Sequence, residues 1–303
     1  MSGTLLPHRC AVLGDPIEHS LSPALHRAGY EALGLAWTYE AREVRSGDLL
    51  WFLSTLDESW RGLSLTMPLK REALALIESR SRRAELAGGI NTLVRTSYGW
   101  AGDNTDYPGA VAAVRERHEH PIRTAAVLGA GATAGSTGLA MVELGARTVT
   151  LLARDAARAE ESRAVIAAHP SRPRVTIAPL EARPDVDALV STIPAVAQIA
   201  PLVAAWCQVP LLFDVVYDPW PTPLMQSVAG VGGVVVNGLD LLVHQAVLQF
   251  ELFTSEPAPL AAMRAAGERA LGMAPPAPEA APLDVEPVEV GPVGSRSADV
   301  ASA

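Results

Sequence analysis

The chain is poor in the features that mark several large protein classes. Its 303 residues contain two cysteines, Cys10 and Cys207, far apart in apolar surroundings. A disulfide framework or a zinc site needs more ligands at closer spacing, so two buried free thiols in a reducing compartment are expected. No run of about 18 apolar residues occurs, so no membrane span is expected. The first residues, MSGTLLPHRC, lack a long apolar core of the secretory type, and a cytoplasmic location is expected. Excess positive charge is also missing, since the net charge is -9. Nucleic-acid binders carry a basic stripe, and none is present. An anionic ligand must therefore meet cations gathered locally. His19, His26 and His244 each lie beside a motif, but no HxxxH or His/Cys spacing links them, so packing or hydrogen-bonding roles and no metal are expected. Trp51, Trp206 and Trp220 read as core or interface packing. No internal repeat is evident.

What is present fits a globular enzyme. Hydrophobic residues make up 49% and charged residues 19%, and the length suits about two domains. In the first hundred residues strand patterns fall at Cys10–Gly14, Thr38–Val44 and Gly62–Leu65, and helical patterns at Pro23–Leu33, Gly47–Thr55 and Lys70–Glu78. Gly34 stands where the first helix must stop. Asn91–Arg95 and Gly99–Gly102 flank Ser97-Tyr98 as a hairpin. A helix over Tyr107–Glu116 leads to a second unit. There, short apolar strands at Thr124–Leu128, Thr148–Ala153, Ala188–Ser191, Leu211–Val216 and Gly233–Val236 alternate with helical segments, as in a parallel doubly wound sheet. Helices are expected at Leu239–Phe253 and Pro259–Leu271. From Met273 the chain is rich in Pro, Ala, Val and acidic residues, and 273–303 reads as a disordered tail.

Gly129-Ala130-Gly131-Ala132-Thr133-Ala134 fits GxGxxA between a strand and a helix. Gly129 allows the tight turn, Gly131 lets the backbone approach a pyrophosphate, and Ala134 lets helix and strand pack closely. The helix N-terminus offers free N–H groups. At the end of the next strand, Ala153 stands where an NAD site places an acid. Arg154 and Arg158 can face a 2′-phosphate, which favours NADP. Asp155 can pair with Arg158 or repel that phosphate.

EHSLSPALH, Glu18 to His26, hands a strand over to a helix, with Pro23 at the first helical position. Ser20 and Ser22 can cap that helix or hold a ligand rich in hydroxyl or carboxylate groups. Lys70 in GLSLTMPLK and Asp106 in GDNTD lie where two domains would meet. A Lys–Asp pair there suits proton transfer, while a solvated helix lysine and a helix N-cap are the alternatives.

The order of SLSPALH, SLTMPLK, GGINTLVR, GDNTD, GAGATA, DVVYDPWPTPL and NGLDLLVHQA closely resembles the shikimate dehydrogenase family over about residues 8 to 270. The resemblance implies a two-domain α/β protein, an N-terminal α/β substrate domain with an inserted Rossmann-like NADP-binding domain. The substrate domain would be residues 1–105 plus 239–272 and the dinucleotide domain 106–238. It implies NADPH-dependent reduction of 3-dehydroshikimate to shikimate, with Lys70 and Asp106 as the catalytic pair. Substrate contacts would be Ser20, Ser22, Thr66, Asn91, Tyr217 and Gln245. The Gly238-Leu239 turn would approach the nicotinamide, and the loop containing Thr192 would run past the cofactor. Three departures stand out. Ser64 replaces a common Asn, Ala153-Arg154-Asp155 replaces an NRT-like strand end, and Ser191-Thr192-Ile193-Pro194 replaces an NAT-like segment. Rival readings are an NAD(P)-dependent quinate/shikimate or aminoshikimate dehydrogenase, and a nucleotide-binding regulator without turnover. A monomer or homodimer is expected.

Overall fold

In the computed structural model, residues 8–273 are described. The tail read as disordered lies outside them, apart from Met273. The first sheet is built around β1 (Arg9–Gly14), a short apolar run buried on both faces. Parallel β2 (Thr38–Glu43) and β3 (Trp60–Leu65) flank it, and the antiparallel hairpin β4 (Thr92–Thr96) and β5 (Gly99–Asp103) completes the order β2-β1-β3-β4-β5. Successive side chains point to opposite faces. Ala11 and Leu13 enter a core with α2 (Leu49–Ser54), α3 (Leu69–Leu76) and α4 (Arg82–Ala87). Cys10 and Val12 enter another with α1 (Ser22–Ala32), α10 (Gly238–Thr254) and α11 (Leu260–Ala270).

The second sheet is parallel throughout: β6 (Thr124–Leu128), β7 (Thr148–Ala153), β8 (Arg174–Pro179), β9 (Ala188–Ser191), β10 (Leu211–Asp214) and β11 (Val234–Val236). Its order, β11-β10-β9-β6-β7-β8, reverses between β6 and β9. That is the Rossmann order, and such sheets bind ligands at the carboxyl ends beside the reversal. Ala125 and Val127 face α5 (Asp106–Arg117), α6 (Ala132–Glu143) and α7 (Ala156–Ala167), while Ala126 and Leu128 face α8 (Ala200–Trp206) and α9 (Pro223–Gly230).

Helices α5 and α10 lie close because Gly109 has no Cβ; one added there would sit 2.8 Å from the Gln245 backbone nitrogen. Asp240, 1% exposed, accepts two bonds from Arg117 (2.7 and 2.8 Å) and one from Arg264 (2.6 Å), tying α5, α10 and α11 together. The same carboxylate closes a capping box with Asn237 at the start of α10.

Several expectations need correction. Leu211–Val216 forms a strand only to Asp214, whose carboxylate accepts the Val216 N–H and bends the chain out of register. Pro23 sits one place later than expected, because the helix begins at Ser22. Cys10 is buried, and burial pushes its thiol up to about 12, but Cys207 is only half-buried. Trp206 belongs to the core, whereas Trp51 (69%) and Trp220 (45%) are exposed and contribute nothing to it.

His26 has a packing role. It is fully buried, stacks on Tyr39 with ring centroids 4.1 Å apart, and neither ring nitrogen has a partner. Burial pushes its pKa down to about 3 from 6.5, opposed in part by the neighbouring Gln249. The unfolded chain therefore binds a proton here that the folded chain refuses, so this contribution to stability falls as pH drops from 6.5 toward 3. Denaturant titrations near pH 7 and near pH 5 should show wild type losing about 2 kcal/mol more than His26→Phe over that interval. Equal losses would show that His26 is not the acid-sensitive group.

Candidate active site

The site forms where the carboxyl ends of β1 and β3 face the second sheet. After β1, Ser20 and Ser22 lie on the turn into α1. Leu21 occupies the cap position and no side chain caps the helix. The Ser22 N–H reaches Ser20 Oγ at 3.4 Å, and both side chains line a cavity of about 350 Å3. After β3, Thr66 donates its N–H to the Leu13 carbonyl, and the chain then turns into α3 with Lys70 in its first turn.

Asp106 is the first residue of α5, and its carboxylate makes no capping bond. Instead it accepts from Lys70 Nζ at 2.7 Å and from Asn91 Nδ2 at 2.8 Å. The Lys70 and Asp106 side chains are 26% and 20% exposed, so water screens the pair less than at an open surface. The rest of GDNTD serves as scaffold. Asp103 is held by Arg83 and Ser81, and Asn104 bonds the Gly89 carbonyl at 2.9 Å and the Asp106 N–H at 3.0 Å. Lys70 is also the only lysine in the 303 residues, every other basic side chain apart from histidine being arginine. That count is a sequence signal that motif reading passed over.

On the opposite side, Gly129 follows β6 with φ +117, and a Cβ there would collide with the Thr192 hydroxyl. Thr192, just after β9, donates that hydroxyl to the Leu128 carbonyl at 2.8 Å, so the two arms of the switch point are joined. Ser162 from α7 holds the Ala130 and Gly131 carbonyls. The start of α6 is uncapped, and a Cβ at Gly131 would meet open space. Free N–H groups beside an open approach fit a pyrophosphate. Arg154 follows β7 and Arg158 lies in the first turn of α7. Both are exposed, and neither makes an ion pair among the described residues. Asp155 does not oppose them by pairing with Arg158. Its carboxylate caps α7, accepting from the N–H groups of Ala157 and Arg158 at 2.9 and 3.4 Å.

The cavity brings together Ser20, Ser22, Thr66, Lys70, Asn91, Asp106, Tyr217 and Gln245, with Thr133 and Gly238 from the dinucleotide side. Gly238 is pressed against the Val215 carbonyl, so that only glycine fits. Burial, with Asp218 beside it, raises the Tyr217 pKa. Its loop is anchored by fully buried Asp214, which accepts from Thr222 (2.7 Å) and Gln198 (2.8 Å) and whose pKa burial raises. Gly129, Ala130, Gly131, Ala132, Ala134, Arg154, Arg158 and Thr192 do not line this cavity. Thr192 lines an adjoining groove with Pro194, Val216 and Asp218. Ser64 and Gln249, absent from the sequence-derived site, do line the cavity. No group of three or more His, Cys, Asp or Glu among the described residues could hold a metal ion.

A Rossmann sheet facing a mixed α/β sheet across a cleft that holds a Lys–Asp pair defines a two-domain dinucleotide-binding protein. Comparison with known proteins narrows this. Residues 12–93 match the shikimate dehydrogenase substrate binding domain, and residues 238–266 the shikimate 5′-dehydrogenase C-terminal domain. A shikimate dehydrogenase (NADP(+)) of Thermosynechococcus vestitus is 32% identical over 277 residues, covering 86% of this chain and 95% of that protein. Shikimate 5-dehydrogenase from Mycobacterium fortuitum is 42% identical with a TM-score of 0.78, covering 86% of this chain and 97% of that one. The Thermus thermophilus enzyme in complex with NADP(H) and shikimate is 32% identical with a TM-score of 0.78, covering 87% and 100%. The chain belongs to the shikimate dehydrogenase family.

The turn at Gly129 gives a direct test of the dinucleotide side. An alanine there takes a strained φ and meets Thr192. Gly129→Ala should weaken NADPH binding, read by the fluorescence of the bound nicotinamide, by roughly tenfold or more, while calorimetric shikimate binding to the free protein stays within about twofold. Unweakened NADPH binding would remove Gly129 from the cofactor site.

Proposed function

We propose that this protein catalyses the NADPH-dependent, reversible reduction of 3-dehydroshikimate to shikimate. The observation that carries this reading is the Lys70–Asp106 pair, 2.7 Å apart, on the wall of a cavity shared by Ser20, Ser22, Thr66, Tyr217 and Gln245. The uncapped start of α6 at Gly131–Ala134 and the exposed Arg154 and Arg158 would hold the pyrophosphate and 2′-phosphate of NADPH. Bound there, it supplies the hydride that the ring carbonyl carbon needs.

The chain's own residues do the rest. Ser20, Ser22 and Tyr217 offer hydroxyl donors to the substrate carboxylate. Thr66, Asn91 and Gln245 orient the ring. Lys70 Nζ spends one hydrogen on Asp106 and keeps the others for the carbonyl oxygen, whose negative charge grows as the carbon is reduced. The oxygen takes its proton from the Lys70–Asp106 pair, and in shikimate oxidation the pair receives it. Asp106, held on its other oxygen by Asn91, keeps Lys70 aimed. Gly238 and the Thr192 loop flank the nicotinamide side. The protein works in the cytoplasm as a monomer or homodimer.

Initial rates with shikimate and quinate, each with NADP and NAD, test the reading. Shikimate with NADP should be the best pair. Lys70→Ala should lower kcat on the order of a hundredfold to ten-thousandfold, with a much smaller change in KM. Faster turnover of quinate with NAD would assign the chain to the quinate branch, and unchanged kcat in Lys70→Ala would remove Lys70 from the chemistry.

A further inference from the structure

Behind the cavity runs a hydrogen-bonded chain whose direction is fixed by the backbone at two points. Gln249, 1% exposed on α10, approaches the Asn91 carbonyl at 3.1 Å and Thr92 Oγ1 at 3.0 Å. A carbonyl only accepts, so the Gln249 atom facing it must be Nε2. Oε1 then faces Ser64 Oγ at 2.7 Å and must accept, so Ser64 spends its only hydrogen there. Tyr39, 2.6 Å from Ser64 Oγ, must donate to it. Thr92, already accepting from Gln249, sends its own hydrogen to Asn91 Oδ1 at 2.7 Å. The Thr105 N–H, 2.8 Å from the same Oδ1, fixes that amide independently. Asn91 Nδ2 is thereby turned to Asp106 Oδ1 and to Thr105 Oγ1. Every donor from Tyr39 onward points toward Asp106.

We propose that Gln249 is a positioning residue that sets the hydrogen-bond polarity of the cavity floor; the proposal rests on the shikimate dehydrogenase reading of that cavity. It has two arms. Through Ser64 it leaves one lone pair and no hydrogen toward the ligand, so the floor there admits a group that donates, such as a ring hydroxyl, and disfavours a carbonyl or ether oxygen. Through Thr92 it supplies the second of the two hydrogen bonds on Asn91 Oδ1, beside that of the Thr105 N–H, and so helps to hold Asn91 as a donor to the carboxylate that aims Lys70. Sequence motifs pass over Gln249 because it lies one turn beyond Gln245 and its partners come from β3 and β4.

The two arms separate in steady-state kinetics of shikimate oxidation. Ser64→Ala should raise KM by about tenfold with little change in kcat, and Thr92→Val should lower kcat by about tenfold with little change in KM. Gln249→Met should do both. Thr92→Ser, which keeps the hydroxyl, should recover most of the turnover lost in Thr92→Val. If Gln249→Met does not fold, the Thr92 pair and Ser64→Ala carry the test. The NMR signals of the Asn91 side-chain amide should shift in Thr92→Val but not in Thr92→Ser, whatever the substrate. Failure of wild type to turn over shikimate would overturn the functional reading, while these signals still report on the relay. The proposal is overturned by equal losses in Thr92→Ser and Thr92→Val, by Asn91 signals that do not move in Thr92→Val, or by a Gln249→Met protein whose melting temperature falls while kcat and KM stay unchanged.

Discussion

Asp106 receives hydrogen bonds from two directions, Lys70 Nζ on one oxygen and Asn91 Nδ2 on the other, and the architecture converges on that carboxylate. Lys70 comes from α3, which follows β3. Asn91 comes from the segment before β4, and Asp106 itself opens α5, the helix that leads to the second sheet. The trio is therefore built from three segments that are separate in sequence. It holds its geometry only while β3, β4 and α5 keep their register. The hairpin of β4 and β5, which carries Asn91 and the GDNTD segment, supplies much of that register.

Helix α10 closes the arrangement from the other side. It packs against α5 at Gly109, begins beside the Gly238 turn, and carries Gln245 and Gln249 to the cavity. Asp240, clamped by Arg117 and Arg264, fixes its N-terminus. A buried carboxylate is costly unless paired and fully hydrogen-bonded, and two guanidinium partners meet that condition. One helix thus touches both halves of the cleft.

Much of this was legible in the sequence. Strands buried on both faces, such as β1 and β6, show as short apolar runs bounded by turn residues, and the structure places them within a residue or two of the expected spans. The GAGATA turn was legible because Gly129, with its positive φ and its approach to Thr192, answers a local steric demand. The short amphipathic α4, with Ser81 as cap and Gly88 in the left-handed region, was missed because six polar-rich residues carry too little periodicity. Strand β8 was missed because, as an edge strand, it is only half-buried. Asp155 was ambiguous because one-dimensional spacing does not distinguish a cap from an ion pair. Gln249 and Tyr39 were invisible for a different reason. Their role depends on partners up to 185 residues away, which only the folded register brings together.

The presence of a single lysine makes the central claim unusually accessible to chemistry. If Lys70 lies against the reacting oxygen, bound ligand must shield its amine. Labelling with an amine-directed acylating reagent, followed by peptide mass spectrometry, reads Lys70 alone, with the N-terminal amine as an internal control. With shikimate and NADP each at about ten times Kd, acylation of Lys70 should slow by roughly tenfold while the N-terminal amine reacts at its usual rate. Acylation of Lys70 at the same rate with and without the ligands would contradict the account.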